Sequence, residues 1–153
     1  EGGFPMEVNR VLWPTDFSSS AEKALPYVTD LTQKYGAEIH VLYVIEDIAH
    51  HDGWYGEFGK DKIEKLMKHA EKSAGKRLNQ ICEKYLNSCP LYIKHIAVGD
   101  PTQEILKLID KEEIDLVVMA SHGSQGKYRF GSVTEKVLKN SAVPVTTIPV
   151  EPE

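Results

Sequence analysis

The sequence predicts an α/β fold in which a parallel β-sheet lies between two layers of helices. Short apolar or β-branched runs alternate with longer segments whose apolar residues recur at helical spacing, in the order β-α-β-α-β-α-β-α-β. Strands that alternate with helices pair in parallel through right-handed crossovers. The run 115–119 is also apolar enough to be covered on both faces. These observations predict a three-layer, Rossmann-like sandwich with a five-stranded parallel sheet.

The strands are predicted from runs of apolar, β-branched and aromatic residues. They are residues 8–13, 38–45, 91–98, 115–119 and 144–148. Pro14 is expected to end the first strand, because proline cannot donate a ladder hydrogen bond. Lys94 and His95 indicate an edge position for the third strand, and the short fifth strand is also expected at an edge.

The first helix is predicted from its capping residues. It should begin at the capping box Ser19-x-x-Glu22 and end before Gly36, which suits a left-handed C-terminal cap. Pro26 removes one backbone donor and should bend this helix locally.

Two further helices are predicted in the middle of the chain. The longer one follows an irregular loop at 46–59 and carries an apolar face. That face consists of Ile63, Leu66, Met67, Ala70, Ala74, Leu78, Ile81 and Tyr85. Cys82 is interpreted as a small core residue of the same helix. The next helix should begin with Asp100 as its cap, Pro101 at its first position and Gln103 completing a capping box.

Composition and charge restrict the classes of function. The 153 residues suit one domain, expected to span 6–150, and residues 1–5 precede Met6 and are expected to be left over from cloning. A net charge of -5 argues against a nucleic-acid-binding surface. No apolar run approaches the ~20 residues of a membrane span. Two cysteines are too few for a disulfide framework, so a cytoplasmic location is expected.

The most informative segment follows the fourth strand. Its loop contains Gly123, Gly126, Lys127, Arg129 and Gly131. A last helix follows, from Ser132 to about Asn140, and Ser132-x-x-Glu135 has the pattern of a capping box. Strand, glycine loop and helix in this order present backbone N–H groups and a positive helix end to an anion, and phosphate fits such a site. The alternative is a plain strand-to-helix connection, whose lysine and arginine are solvated loop charges.

Topology places a second candidate near this loop. In doubly wound folds, ligands bind beyond the carboxyl ends of the strands, where the strand order reverses. Those ends lie here at 14–16, at 44–46 and from 119 onward. Asp16 would accept hydrogen bonds there from a ribose hydroxyl or a purine amine. The alternative role for Asp16 is to cap the first helix.

Three other patterns are weaker candidates. Ser121-His122 lacks a third group that would orient a nucleophile and its base. His50-His51-Asp52 is interpreted as polar surface and not as a metal site. The aromatic residues of loop 46–59 are interpreted as a lid or a packing patch. We therefore assign no catalytic residue and no metal ligand.

Four stretches, in this order and spacing, resemble the universal stress protein family over nearly the whole chain. They are VLWPTDFS at 11–18, GDP at 99–101, DLVVMASHG at 115–123 and GSVTEKV at 131–137. Residues 143–145 also resemble the family's last strand. The resemblance implies the strand order 3-2-1-4-5 and a homodimer that pairs through the last strand, here residues 143–150.

One branch of the family binds ATP, so the resemblance also implies an adenine-nucleotide site. The nucleoside would be held by Pro14, Thr15, Asp16 and Val44. The phosphates would be held by Gly123, Gly131, Ser132, Val133 and Thr134. Met119 and Ala120 at the strand end, and Gly126, Lys127 and Arg129 in the loop, complete the candidate set. Mg²⁺ would accompany ATP.

The chain departs twice from the glycine pattern of the ATP-binding branch. Ala120 stands where that pattern has its first glycine. Only seven residues, 124–130, separate Gly123 from Gly131, which is fewer than the pattern requires. The adenosine half of the site thus looks intact and the phosphate half altered, which fits an AMP-like ligand or a weakened ATP site.

These features predict a cytoplasmic homodimer that binds an adenine nucleotide in a regulatory role in the stress response. The first alternative is an interaction module of the same fold that binds no nucleotide. It would act through its dimer surface and loop 46–59. The second alternative is a slow ATP hydrolase, which needs a metal ligand and a water-positioning group. No residue other than Asp16 presents itself for those roles.

Overall fold

The computed structural model describes residues 7–46, 59–86, 92–121 and 131–150. The strands are β1 (Arg10–Thr15), β2 (Glu38–Ile45), β3 (Tyr92–Val98), β4 (Leu116–Ala120) and β5 (Val145–Ile148). The helices are α1 (Ser19–Lys23), α2 (Leu25–Tyr35), α3 (Lys60–Tyr85), α4 (Pro101–Lys111) and α5 (Ser132–Asn140). The strands pair in parallel in the order β3-β2-β1-β4-β5. This order confirms the predicted sheet, with β3 and β5 at its edges.

Two apolar clusters cover the two faces of the sheet, because side chains alternate between faces along each strand. Val11 and Trp13 of β1 belong to a cluster that also contains residues of α1, α2 and α3. Leu12, which lies between them, belongs to a second cluster with residues of α4 and α5. The predicted three-layer sandwich is therefore confirmed.

The first strand does not end at Pro14, as the sequence predicted, but continues to Thr15. The backbone explains why proline is tolerated. Asn9 accepts a hydrogen bond from the β2 residue Glu38, and Arg10 accepts one from Asp115 beside β4. Since successive residues of a strand bond to opposite neighbours, Pro14 turns its nitrogen toward β4. The β1–β4 ladder has already ended at Leu12, so no hydrogen bond is lost.

The first predicted helix is two helices. Ser18 caps α1, because its Oγ accepts from the Ala21 N–H at 3.1 Å, so the predicted capping box at Ser19 is wrong. The helix breaks at Ala24 and α2 begins with Pro26 in its first turn, where a missing N–H breaks no helical hydrogen bond. Gly36 ends α2 with φ of 64°, in the left-handed conformation that was predicted.

The long helix α3 buries four of the eight residues of its predicted face. Ile63, Ala74, Leu78, Ile81 and Cys82 are all buried, which confirms Cys82 as a core residue. Leu66 is 56% exposed, so its assignment to the buried face was wrong. With 26 residues, α3 is much longer than the 8-residue strand β2. At about 1.5 Å per helical residue and about 3.3 Å per strand residue, part of the helix extends past the sheet.

Helix α4 begins as its sequence predicted. The Asp100 carboxylate accepts from the Gln103 N–H at 3.0 Å, and Pro101 occupies the first turn. None of the helices in the described ranges has the length and apolar composition needed to cross a membrane.

Two histidines stack on each other at the β2–β3 edge. His40 Nδ1 lies 2.9 Å from His95 Nε2, and His40 Nε2 lies 3.3 Å from Glu38 Oε1. One assignment satisfies all these atoms: His95 donates to His40, which donates to Glu38. The pKa of His95 is lowered first by burial and then by charge on His40, and Glu112 partly opposes the shift.

We expect the protein to lose stability as the pH falls below 6.5, the ordinary pKa of histidine. His95 binds a proton less readily in the folded state than in the unfolded state, so acid favours unfolding. The contribution of His95 to the free energy of unfolding is complete above pH 6.5. It disappears as the pH falls through the lowered pKa that His95 has in the folded state. Urea unfolding from about pH 8 to about pH 5 measures the effect. In His95→Gln the free energy of unfolding should depend less steeply on pH. The same dependence in wild type and variant would contradict the assignment of this effect to His95.

Candidate functional site

The carboxyl ends of β1 and β4 lie side by side at the point where the strand order reverses. The ladder between them pairs Val11 with Leu116 and Leu12 with Val117, and the described residues above these do not pair. Above Leu12, β1 pairs only with β2, and β4 pairs with β5 up to Ala120. The hydrogen-bonded ladder between the two strands thus ends below the position where ligands bind in doubly wound folds. We call the region between the carboxyl ends of β1 and β4 the switch-point crevice.

Asp16 lies directly after β1, at the edge of this crevice. Its Oδ1 accepts from the Ser18 N–H at 2.9 Å, and its side chain is exposed. The buried Thr15 fixes the chain on the other side, because its Oγ1 accepts from the Phe17 N–H at 3.0 Å. Asp16 therefore does not cap α1, since Ser18 does, and its carboxylate is held at the carboxyl edge of the sheet.

Phe17 adopts a conformation that is unusual for a residue with a side chain. Its φ is 65°, in the left-handed region that costs about 1–2 kcal/mol for residues other than glycine. Its ring stacks on Tyr43 with centroids 4.2 Å apart, and the Arg77 guanidinium lies 4.3 Å from its centroid. Sequence reasoning did not single out these three residues. No sequence signal identifies them, because the contacts join β2, α3 and the β1 exit.

Two backbone hydrogen bonds fix the residue that follows β4. The buried Ser121 donates its N–H to Ile148 at 2.8 Å, and Gly131 donates its N–H to Ser121 at 2.8 Å. The second bond brings together Ser121 and Gly131, the residues that flank segment 122–130. Gly123, Gly126, Lys127 and Arg129, along with His122, belong to that segment and lie outside the described residues.

Helix α5 (Ser132–Asn140) has the bounds that its sequence predicted, but its cap differs. Gly131 is the N-cap and has no side chain that could cap the helix, so the predicted capping box at Ser132 is wrong. Glu135 instead accepts from Lys139 at 2.9 Å, and this hydrogen bond is the main cause of the lowered pKa of Glu135. Its carboxylate therefore points along the outer face of the helix.

Three backbone N–H groups at the N-terminus of α5 have no acceptor among the described residues. The first helical hydrogen bond runs from the Glu135 N–H to the Gly131 carbonyl at 2.9 Å. The N–H groups of Ser132, Val133 and Thr134 thus precede the first helical bond, and no described side chain accepts from them. Together with the helix dipole, such groups favour an anion.

Thr134 fastens this helix end to the sheet. Its buried Oγ1 donates to the Ala120 carbonyl at 3.1 Å, and Val133 packs on the cluster that contains Leu12 and Val117. Ser132 is exposed at the same turn. These contacts hold the free N–H groups of α5 at the end of β4, at the carboxyl edge of the sheet.

The remaining candidates also lie at the upper ends of the strands. Pro14 is half-buried in β1, and Val44 is half-buried near the end of β2. Met119 and Ala120 are buried at the end of β4. Topology therefore brings all the described candidates to one edge of the sheet, which is the arrangement that the sequence predicted.

Within the described ranges, no group of three or more histidine, cysteine, aspartate or glutamate side chains could hold a metal ion. Cys82 is also unsuited to reactivity, because burial raises the pKa of its thiol to about 11. The segment His50-His51-Asp52 lies outside the described residues.

The chain matches the model of the universal stress protein family over residues 7–149. The universal stress protein MJ0577 of Methanocaldococcus jannaschii is 31% identical over 151 residues, covering 91% of this chain and 93% of that protein. The solved structure of MJ0577 has a TM-score of 0.80 at 28% identity and covers 96% of this chain and 99% of that chain.

Two other solved structures are similar to this chain. The universal stress protein UspA of Lactobacillus plantarum has a TM-score of 0.72 at 25% identity, covering 93% of this chain and 98% of that chain. The universal stress protein of Archaeoglobus fulgidus, solved in complex with dAMP, has a TM-score of 0.62 at 19% identity, covering 94% of this chain and 99% of that chain. The second likeness concerns the fold alone. From the family model and the M. jannaschii relative, this chain belongs to the universal stress protein family.

Proposed function

We propose that this protein is a cytoplasmic regulatory protein that binds an adenine nucleotide in the switch-point crevice. The carrying observation is that the β1–β4 ladder ends at Leu12, with Asp16 following one strand and the N-terminus of α5 following the other. A carboxylate suits the hydroxyls of a ribose, and free N–H groups suit a phosphate. The dAMP bound by the A. fulgidus relative supports a ligand of this class.

The nucleoside half of the site is proposed to consist of the ends of three strands. Asp16 would accept hydrogen bonds from the ribose, because its exposed carboxylate is oriented by the Ser18 N–H and has several acceptor positions. The adenine would contact the ends of the strands. The residues proposed there are Pro14, Thr15, Val44, Met119 and Ala120.

The phosphate half is proposed to centre on the first turn of α5. The N–H groups of Ser132, Val133 and Thr134 would bind the phosphate oxygens, with the positive end of the helix adding to the attraction. Gly131 adds no side chain at this turn. Further phosphate contacts are proposed for Gly123, Gly126, Lys127 and Arg129.

A nucleoside monophosphate fits these features better than ATP does. The segment between Gly123 and Gly131 has only seven residues, fewer than the ATP-binding pattern requires. Ala120 adds a methyl group near the nucleotide where the ATP-binding pattern has glycine. We therefore propose an AMP-like ligand as the preferred one, with ATP and its Mg²⁺ bound more weakly.

We also propose a homodimer that pairs through residues 143–150. Among the described strands, β5 within this segment pairs with β4 alone. An unpaired parallel edge is a surface on which a second copy can pair. Sedimentation equilibrium tests this proposal, because a monomer at micromolar concentrations would contradict it.

AMP is expected to stabilise the protein against urea. A ligand at about 100 times its dissociation constant, bound only by the folded state, raises the free energy of unfolding by about 2.7 kcal/mol. The measurement is urea unfolding followed by circular dichroism, with AMP, ADP and ATP added separately. We expect AMP to have its effect at a lower concentration than ATP.

CMP at matched concentration is the control for nonspecific binding of a nucleoside phosphate. Stabilisation by AMP but not by CMP would support recognition of adenine. If no adenine nucleotide changes the unfolding curve at millimolar concentration, the nucleotide proposal fails. The interaction module of the same fold would then be the better account.

A further inference from the structure

We infer that Phe17, Tyr43 and Arg77 form a positioning stack that orients the ribose-binding carboxylate of Asp16. This inference rests on the proposed function, and it adds three residues that act on the ligand through Asp16. Phe17 is the residue after Asp16, Tyr43 lies on β2, and Arg77 lies on α3. The stack thus connects the site to a helix that supplies none of the proposed ligand contacts.

The ring of Phe17 is held from both sides. The Tyr43 ring lies 4.2 Å from it, with an angle of 29° between the planes, and the Arg77 guanidinium lies 4.3 Å away. Two groups this close to one centroid cannot occupy the same face, so Phe17 lies between them. Aromatic stacking and the attraction of a guanidinium to a ring face both favour this arrangement.

The stack explains how Phe17 keeps its left-handed backbone. Without support, a phenylalanine with φ of 65° would relax toward an ordinary conformation. The fixed ring and the hydrogen bond from its N–H to Thr15 Oγ1 hold it in place. A strained conformation that the surroundings enforce is a common feature of binding sites.

The backbone of Phe17 in turn determines where Asp16 lies. The chain enters this turn from β1, in which Thr15 pairs with Tyr43. It leaves through Ser18, whose N–H donates to Asp16 Oδ1 at 2.9 Å and whose side chain caps α1. If Phe17 rotated out of its conformation, Ser18 would move relative to Asp16 and this hydrogen bond would break. The carboxylate would then lose one of the contacts that fix its rotamer.

The first test uses the protein without any nucleotide. Hydrogen exchange of the Phe17 and Ser18 amides is compared between wild type, Phe17→Ala and Arg77→Gln. We expect both variants to exchange these two amides at least about tenfold faster, because local opening becomes easier. Amides of the central strand β2 report whether the whole fold has been weakened. Lys76→Gln, which removes a neighbouring charge on the same helix, is the matched control and should leave the exchange unchanged.

The second test measures discrimination for the ribose. The ratio of the dissociation constants of 2′,3′-dideoxy-AMP and AMP reports the hydrogen bonds that the hydroxyls make. In wild type we expect a ratio of roughly tenfold or more, since hydrogen bonds to charged groups are strong. The ratio should fall toward one in Phe17→Ala and be restored in Phe17→Tyr, which keeps the aromatic ring. A purely structural loss would weaken both ligands equally and leave the ratio unchanged.

The two tests separate the failure of this inference from the failure of the proposed function. If AMP does not bind to wild type, the nucleotide proposal is wrong, while amide exchange still decides whether the stack positions Asp16. If AMP binds but exchange at Phe17 and Ser18 is the same in all variants, the stack has no positioning role. An unchanged ribose ratio in Phe17→Ala would also overturn the inference.

Discussion

Replacing Trp13 with alanine is expected to lower the free energy of unfolding by about 3–5 kcal/mol. Trp13 is fully buried in β1, at the centre of the cluster beneath α1, α2 and α3. Its removal leaves a cavity that the surrounding strand and helices cannot fill. A typical domain is stable by only about 5–15 kcal/mol, so the variant would lose a large part of its stability. Urea unfolding followed by circular dichroism measures the loss.

Two controls separate packing from the indole hydrogen bond. Trp13 donates its Nε1–H to the Ala21 carbonyl at 3.2 Å, and that carbonyl also accepts from the Ala24 N–H at 3.2 Å. Trp13→Phe should therefore lose much less stability than Trp13→Ala, because Ala21 keeps a partner and most of the volume remains. Tyr27→Ala removes an aromatic ring that is 53% exposed and should change stability by less than about 0.5 kcal/mol. A small loss in Trp13→Ala would contradict the central position of Trp13.

Replacing Asp16 with alanine is expected to raise the dissociation constant of AMP by tenfold or more. A hydrogen bond to a charged group contributes about 1.5–3 kcal/mol, which corresponds to roughly 10- to 150-fold in affinity. Titration calorimetry with AMP measures the effect. Adenosine should lose affinity by a similar factor, because Asp16 is proposed to contact the ribose and not the phosphate.

The controls for Asp16 vary charge and shape separately. Asp16→Asn retains an oxygen for the Ser18 N–H, so it should keep the turn while losing the charged acceptor, and its affinity should lie between those of wild type and Asp16→Ala. Asp110→Ala removes an exposed carboxylate from α4 and should leave AMP affinity unchanged. Equal AMP affinities in wild type and Asp16→Ala would remove Asp16 from the site.

The regular elements of the fold follow from local sequence. The strand predicted at 38–45 is β2 (Glu38–Ile45), and Gly36 and Asp100 end and begin helices as predicted. Each of these signals depends on neighbours in the sequence: an unbroken apolar run, a residue that tolerates positive φ, and a carboxylate before proline. Local sequence signals were therefore enough to predict where these strands and helices begin and end.

The two predicted S-x-x-E capping boxes failed for the same reason. In both, the serine of the S-x-x-E pattern is the first helical residue, and the residue before it, Ser18 or Gly131, is the N-cap. Those two residues have ψ of 158° and 160°, which is the extended conformation of an N-cap. Where the chain turns from strand to helix depends on how the helix packs on the sheet, which the pattern does not contain.

The sequence predicted which edge of the sheet carries the candidate site, but not the side-chain contacts around it. Strand alternation places residues 14–16 and the start of α5 at the same edge of the sheet, as the structure has them. The stack of Phe17 on Tyr43 and Arg77 could not be predicted. It depends on where α3 crosses the sheet, and no local pattern determines that. The same is true of Pro14. Its place inside β1 depends on the ladder with β4, which ends two residues earlier, at Leu12.

The central claim is that an adenine nucleotide binds between the ends of β1 and β4, and amide chemical-shift mapping tests it most directly. AMP would be titrated into ¹⁵N-labelled protein and the shifts of backbone amides followed. The largest changes should occur at Asp16 and at Ser132, Val133 and Thr134, with little change at the far ends of the strands. Saturable shifts confined to another surface, or no shifts at millimolar AMP, would contradict the claim.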